Sequence, residues 1–174
     1  SNQVQTARIM ANGDLLYHDG LYMSALQADG SYDFTENFTY VKPWLKQADL
    51  VLGDFEGTIN PDYPLSGYPL FNAPQSVTAA ISDAGYDVMD LAHNHILDSG
   101  LEGAFTTADA FKEVGIDPVG VYENPVRDKA PLFIKNVNGI KVAILSYAYG
   151  FNGLESNLTE KEIANHLSNL DEKR

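Results

Sequence analysis

Apolar and polar positions along this chain fall into short blocks whose period changes from one block to the next. Runs at 7–11, 48–53, 86–92 and 118–121 are short and mostly apolar, and turn residues bound them. They are too brief for helices and read as strands, the first two as buried ones. Between them lie stretches of helical spacing. Residues 21–28 are stopped by Asp29-Gly30. Residues 38–47 put Phe38, Val41, Trp44 and Leu45 on one face. Residues 76–84 close at Gly85, and 100–114 carry Leu101, Phe105, Ala108 and Phe111 before Gly115. Pro43 has no amide hydrogen to donate, so it must lie in the first turn of its helix, or that helix starts near Lys42.

A proline-rich loop occupies 60–74, with Pro61, Pro64, Pro69 and Pro74. Segments 132–137 and 140–147 flank Asn138-Gly139, a strong signal for a hairpin because both residues tolerate positive φ. Thr159-Glu160-Lys161-Glu162 has the spacing of a capping box and opens a last helix, with Ile163, Leu167 and Leu170 inward. Alternation of this kind predicts an α/β sheet with right-handed crossovers. Ligands of such sheets bind beyond the carboxyl ends of the strands.

Three polar motifs stand at those ends: Asn12-Gly13-Asp14, Gly53-Asp54-Phe55-Glu56 and His93-Asn94-His95-Ile96-Leu97-Asp98. If the strands are parallel neighbours, the motifs converge. Taken singly, each has a plain structural account. Asp14 suits a turn or the cap of the next helix. Asp54 and Glu56 suit a solvated loop, yet residues two apart in extended chain share a face, and paired carboxylates repel unless a cation or proton lies between them. His93-Asn94-His95 is harder to explain as a plain connection. Imidazole and amide oxygen are ligands for manganese, iron or zinc, and a histidine can protonate a leaving group. Asp98 is spaced to fix the tautomer of His95, to cap the helix at Gly100, or both. His18, one turn beyond Asp14, is an additional candidate, as are Asp54 and His93. Three such motifs at equivalent places make a divalent-cation site the leading expectation.

Charge narrows the partners. With 24 acidic and 11 basic residues the net charge is −13, which argues against nucleic acid, since each phosphate contact needs a basic donor, and against an anionic membrane surface. The 44% hydrophobic content suits one packed domain. No cysteine is present, so disulfides and thiolate metal sites are excluded. No apolar stretch has transmembrane length, and no signal peptide is visible. Ser1-Asn2 opens the chain like a tag remnant. Residues 1–6 therefore read as tag or linker, and an upstream signal or anchor is expected to have been removed.

Together the three motifs, with the third extended to Leu91-Ala92-His93-Asn94-His95-Ile96-Leu97-Asp98-Ser99-Gly100, resemble the bacterial capsule-synthesis, poly-γ-glutamate biosynthesis (CapA-type) family. That family belongs to the calcineurin-like metallophosphoesterase superfamily. Phe71-Asn72-Ala73-Pro74 and 147–153 resemble it too, so the likeness runs from about residue 7 to 152. It implies a metallophosphoesterase-like α/β/β/α sandwich, of which 7–174 would be the N-terminal half, at the cell surface or anchored to its membrane. By the same resemblance Asp14 would bind a first metal, Glu56 would bridge, Asn94 would bind the second, and His95 would contact phosphate or protonate the leaving group. The implied cofactor is two divalent ions (Mn, Fe or Zn).

Two departures qualify this. The superfamily has a histidine two residues after its first aspartate, where this chain has Leu16. Later histidine motifs are also missing from these 174 residues. The expectation is therefore that a complementary C-terminal fragment or chain supplies further histidines, and that this chain alone binds metal poorly. An anionic polymer or a phosphorylated compound is the expected substrate. The alternative is a non-catalytic accessory or scaffold protein for anionic-polymer assembly or export, with a degenerate metal site. A dinucleotide-binding domain is set aside, because no glycine-rich turn follows a strand and acids stand where a pyrophosphate would lie.

Overall fold

The computed structural model describes residues 3–126 and 131–168. Four strands, β1 (Ile9–Leu15), β2 (Leu50–Phe55), β3 (Val88–Asp90) and β4 (Asp117–Val119), pair in parallel in chain order. Helices α1 (Asp19–Ser24), α2 (Lys42–Leu45), α3 (Val77–Ala84) and α4 (Gly100–Glu113) fill the crossovers. Two further strands, β5 (Phe133–Val137) and β6 (Ile140–Ile144), form an antiparallel hairpin, and α5 (Glu160–His166) follows.

Strand alternation divides the core in two. Val51, Phe55, Met89 and Leu91 turn toward the helices and pack with Ile81, Ala84, Ala104 and Phe111. Leu50, Leu52, Val88 and Val119 turn the other way and are covered by Phe133, Val137, Val142 and Ile144 of the hairpin. The described residues thus make three layers: helices, parallel sheet and hairpin. Asn138 (φ 54°) and Gly139 (φ 84°) form the hairpin turn the sequence predicts.

Several boundaries differ from expectation for identifiable reasons. The first strand is no buried run ending before Asn12-Gly13-Asp14. It is an edge strand that continues to Leu15, and Ile9 is 46% exposed. The helix expected at 21–28 begins at Asp19 and ends at Ser24, where the chain turns so that Leu26 can bridge to Tyr32. The helix expected over 38–47 is split into a 3₁₀ turn, Thr35–Phe38, and α2, with Pro43 in its first turn. The capping box is complete: Thr159 Oγ1 accepts from the Glu162 amide and Glu162 Oε2 from the Thr159 amide. Ile163 and Leu167 pack inward as expected. Leu170 and the chain end lie outside the described residues, as does Ser1-Asn2.

The proline-rich loop is tied down by a buried polar network. Asn72 Oδ1 accepts from the Asn60 amide at 2.8 Å, and Ser99 Oγ donates to Thr58 Oγ1 at 2.8 Å. Thr58 Oγ1 in turn donates to the Phe71 carbonyl at 2.8 Å. Because every member has a partner, the network can be buried without an unpaired polar group. It holds Phe71 rigidly beside the strand ends.

Candidate functional site

The three motifs converge. β1, β2 and β3 end side by side, with Asp14 opposite Asp54 and Asp54 opposite Asp90 in the register. Between Ala11 and Asp14 the register slips: β1 has two residues there, Asn12 and Gly13, where β2 has one, Gly53, between Leu52 and Asp54. One extra residue reverses the alternation. Asp14 therefore shares the hairpin-facing side of the sheet with Asp54. Nothing in the one-dimensional pattern announces this slip.

Asp14, Asp54, Glu56, His93 and Asn94 all line one cavity of about 540 Å³. The segment at 147–152 and Glu155 form its opposite wall. Phe151, fully buried, roots that wall in the core, and Asn94 Nδ2 donates to Asn152 Oδ1 at 3.2 Å across the cleft.

The carboxylates perturb one another. Burial pushes Asp54 up to about 7, and the neighbouring Asp90 and Asp14 add to it. Glu56 is pushed up to about 6, mainly by burial and then by Asp14. Asp90 is raised by burial, an effect opposed by hydrogen bonds from Ser146 and from the Ala92 amide. Like charges in a partly dry site favour the protonated form.

His95 is buried between two acids. Its Nδ1 lies 2.7 Å from Asp98 Oδ2 and its Nε2 lies 3.8 Å from Glu56 Oε1. A carboxylate can only accept, so Nδ1 carries the hydrogen and Nε2 faces the site. Phe71 packs edge-on against the ring at 4.8 Å. Asp98 also accepts from the Phe71 amide at 2.7 Å. Its expected capping role is not observed: Ser99 holds the N-cap position of α4, with no side-chain cap.

His93 is enclosed, and Nδ1 accepts from the His95 amide at 3.1 Å. Burial, then the neighbouring His95, lower its pKa to about 3. It is a neutral strut under the loop as well as a cavity wall. His18 is exposed and does not line the cavity; it stacks edge-on on Phe71 at 4.8 Å, the same ring that packs on His95. Asp90 and Glu155 were not signalled by the sequence, and Asn152 only as part of the 147–153 stretch, with no role given. Asp90 hides inside an apolar run, and the others lie far along the chain from the strand-end motifs.

Among the described residues no group of three His, Asp or Glu side chains is arranged to hold a metal ion by itself. The donors nevertheless have the chemistry of one wall of such a site. They are mostly hard oxygens, and among the described residues no lysine or arginine lines the cavity and Asp54 Oδ1 is buried without a hydrogen-bond partner.

The layered sheet and a site set beyond its strand ends place the chain among proteins of metallophosphoesterase-like fold. Residues 8–173 match the family model described as bacterial capsule synthesis protein PGA_cap, and the chain belongs to that family. It is 35% identical over 119 residues to "Capsule biosynthesis protein CapA" of Bacillus anthracis, a match covering 66% of this chain and 29% of that protein. It is 26% identical over 113 residues to "PGA biosynthesis protein CapA" of Bacillus subtilis (strain 168), covering 63% of this chain and 30% of that one. A third relative, "Uncharacterized protein y4sH" of Sinorhizobium fredii, is 27% identical over 158 residues, or 87% of this chain and 32% of its own length. The chain thus spans about a third of the length of these relatives.

Proposed function

We propose that this chain carries the acidic part of a metal-dependent phosphoester-hydrolysing site, in a protein that acts in capsule or poly-γ-glutamate biosynthesis at the cell surface. The observation that carries the reading is the pairing of His95 with Asp98 beside the carboxylates of Asp14, Asp54 and Glu56. Asp14, Asp54, Glu56 and the Asn94 amide oxygen would hold divalent ions, manganese suiting oxygen donors better than zinc. When bound, such ions activate water and neutralise charge on a phosphoryl group. Asp98 holds His95 in one tautomer, and Nε2 presents a proton toward the leaving oxygen when the ring is charged. Asn94 and Asn152 form an amide bridge that orients whatever enters the cleft. Further histidines would come from a complementary segment or chain.

A second reading has one observation of its own. Leu16, half-buried, stands just past β1 where a metal-binding histidine would serve, which favours a scaffold that keeps the fold and handles an anionic polymer without hydrolysis. Metal content and phosphodiesterase activity of the complete protein, against Glu56→Ala and Asn94→Ala, separate the two. Metal and activity lost together in both variants support the enzyme. A wild type with neither leaves the scaffold.

A further inference from the structure

Two buried side-chain oxygens have no hydrogen-bond partner among the described residues: Asp54 Oδ1 and Glu155 Oε2. They lie about a hundred positions apart in the chain, on elements with no sequence relation. Both belong to residues lining the same cavity. Leaving a buried acceptor unpaired is costly, and folded chains seldom do so without a ligand, water or ion to satisfy it. Two in one cavity are not independent accidents.

Among the described residues no lysine or arginine lines the cavity. His93 Nδ1 accepts from the His95 amide and so has no hydrogen to offer them. Glu155 shares the cavity lining with three further carboxylates, those of Asp14, Asp54 and Glu56. Glu155 is also placed deliberately. The one-turn 3₁₀ segment Leu154–Asn157 begins after Gly153 at φ 81°, and the chain before it is anchored by buried Phe151.

We propose that Glu155 is a divalent-cation-facing residue of the site, acting with Asp54 from the opposite wall. The proposal rests on the metal-dependent reading above and extends it to a residue on the far side of the cleft. The ion neutralises both unpaired oxygens, so Glu155 contributes to cation affinity in addition to closing the cavity.

The test uses Mn²⁺ alone as the probe, read by paramagnetic broadening of amide resonances and by thermal unfolding. All are made in the complete protein, complementary segment included: the wild type, Glu155→Gln, Glu56→Gln and, as a surface control, Glu160→Gln. The wild type should show broadening around the cavity and a melting temperature that rises with Mn²⁺. Glu155→Gln should weaken apparent Mn²⁺ affinity about tenfold or more. It should also melt no lower than the wild type without metal, because Oε2 has no hydrogen bond to lose. Glu160→Gln should match the wild type in both. Mn²⁺ affinity unchanged in Glu155→Gln but lost in Glu56→Gln overturns the role of Glu155 and leaves the proposed function standing. A Glu155→Gln protein that melts well below the wild type without metal shows a structural role and overturns the proposal too. No Mn²⁺ binding by the wild type overturns both readings.

Discussion

His95 Nδ1 sits 2.7 Å from Asp98 Oδ2, and that contact decides what the other ring nitrogen can do. Asp98 accepts the Nδ1 hydrogen and so leaves Nε2 as the atom that faces Glu56, itself a residue of the cavity wall. Both partners are buried, so water cannot substitute for either. Burial raises the pKa of Asp98, while the Phe71 amide and His95 lower it again.

Replacing Asp98 with asparagine tests this relation. An amide can present its NH₂ to Nδ1 and stabilise the opposite tautomer, so that Nε2 would carry the hydrogen in the neutral ring. The expected result is a fall in kcat of at least about tenfold with KM little changed. Stability should drop by about 1–2 kcal/mol, because a charge-assisted bond to a buried amide is weakened. Steady-state kinetics on the complete protein and a urea melt check the two parts separately. An unchanged kcat would remove His95 from the reaction.

Asp54 gives a pH signature. Its folded pKa is near 7, above the ordinary value of 3.8, through burial and the nearby Asp90 and Asp14. Between those values the folded state holds more proton than the unfolded one, so the contribution of Asp54 is present below pH 3.8 and lost as pH rises through 7. Asp54→Asn should therefore gain stability relative to the wild type across that window and hold the gain above it. Urea melts in EDTA at several pH values check this, and a stability difference independent of pH would refute it.

Much of this was legible in the sequence, and the exceptions are physical. Strands, hairpin and capping box follow from period and turn chemistry, which act locally. The convergence of Asp14, Glu56 and Asn94 was legible because parallel topology brings strand ends together. Asp14 reaches its side only through a register slip, and that depends on how β1 pairs rather than on its residues alone. Glu155 and Asn152 enter through tertiary packing of the 147–157 segment. Asp98 reads by spacing as the partner of His95, a helix cap, or both; its Oδ2 takes His95 and also the Phe71 amide, a neighbour invisible until the loop folds.

Gly120 links stability to the site. At φ 93° a side chain is strained there, and an added Cβ would meet Ala92 Cβ and Ser146 Oγ at 2.6 Å. Ser146 is the residue that donates to Asp90. Gly120→Ala should cost about 2–4 kcal/mol from backbone strain and overpacking combined. It should also shift the amide resonances of Ala92 and Ser146 in a two-dimensional NMR spectrum. A melting temperature equal to the wild type would show that the close approach of these strand ends is not required.

His93 works in the opposite direction from Asp54, and that opposition makes the two separable. Its folded pKa is lowered from 6.5 to about 3 by burial and by the neighbouring His95. The unfolded chain therefore takes up a proton below pH 6.5 that the folded chain refuses. The stability contributed by neutral His93 is complete above that pH and declines as pH falls toward 3. One proton difference sets a slope of at most about 1.4 kcal/mol per pH unit. In the wild type this loss cancels part of the gain from protonating Asp54, Glu56 and the other raised carboxyls between pH 4 and 6.5. His93→Gln keeps an acceptor for the His95 amide and removes the titration. Its stability should then rise more steeply on acidification than that of the wild type, while the double variant with Asp54→Asn should return toward the wild-type slope. Chemical denaturation of all four proteins at pH steps across that range checks the sign of each term, and a His93→Gln curve parallel to the wild type would place the acid sensitivity elsewhere.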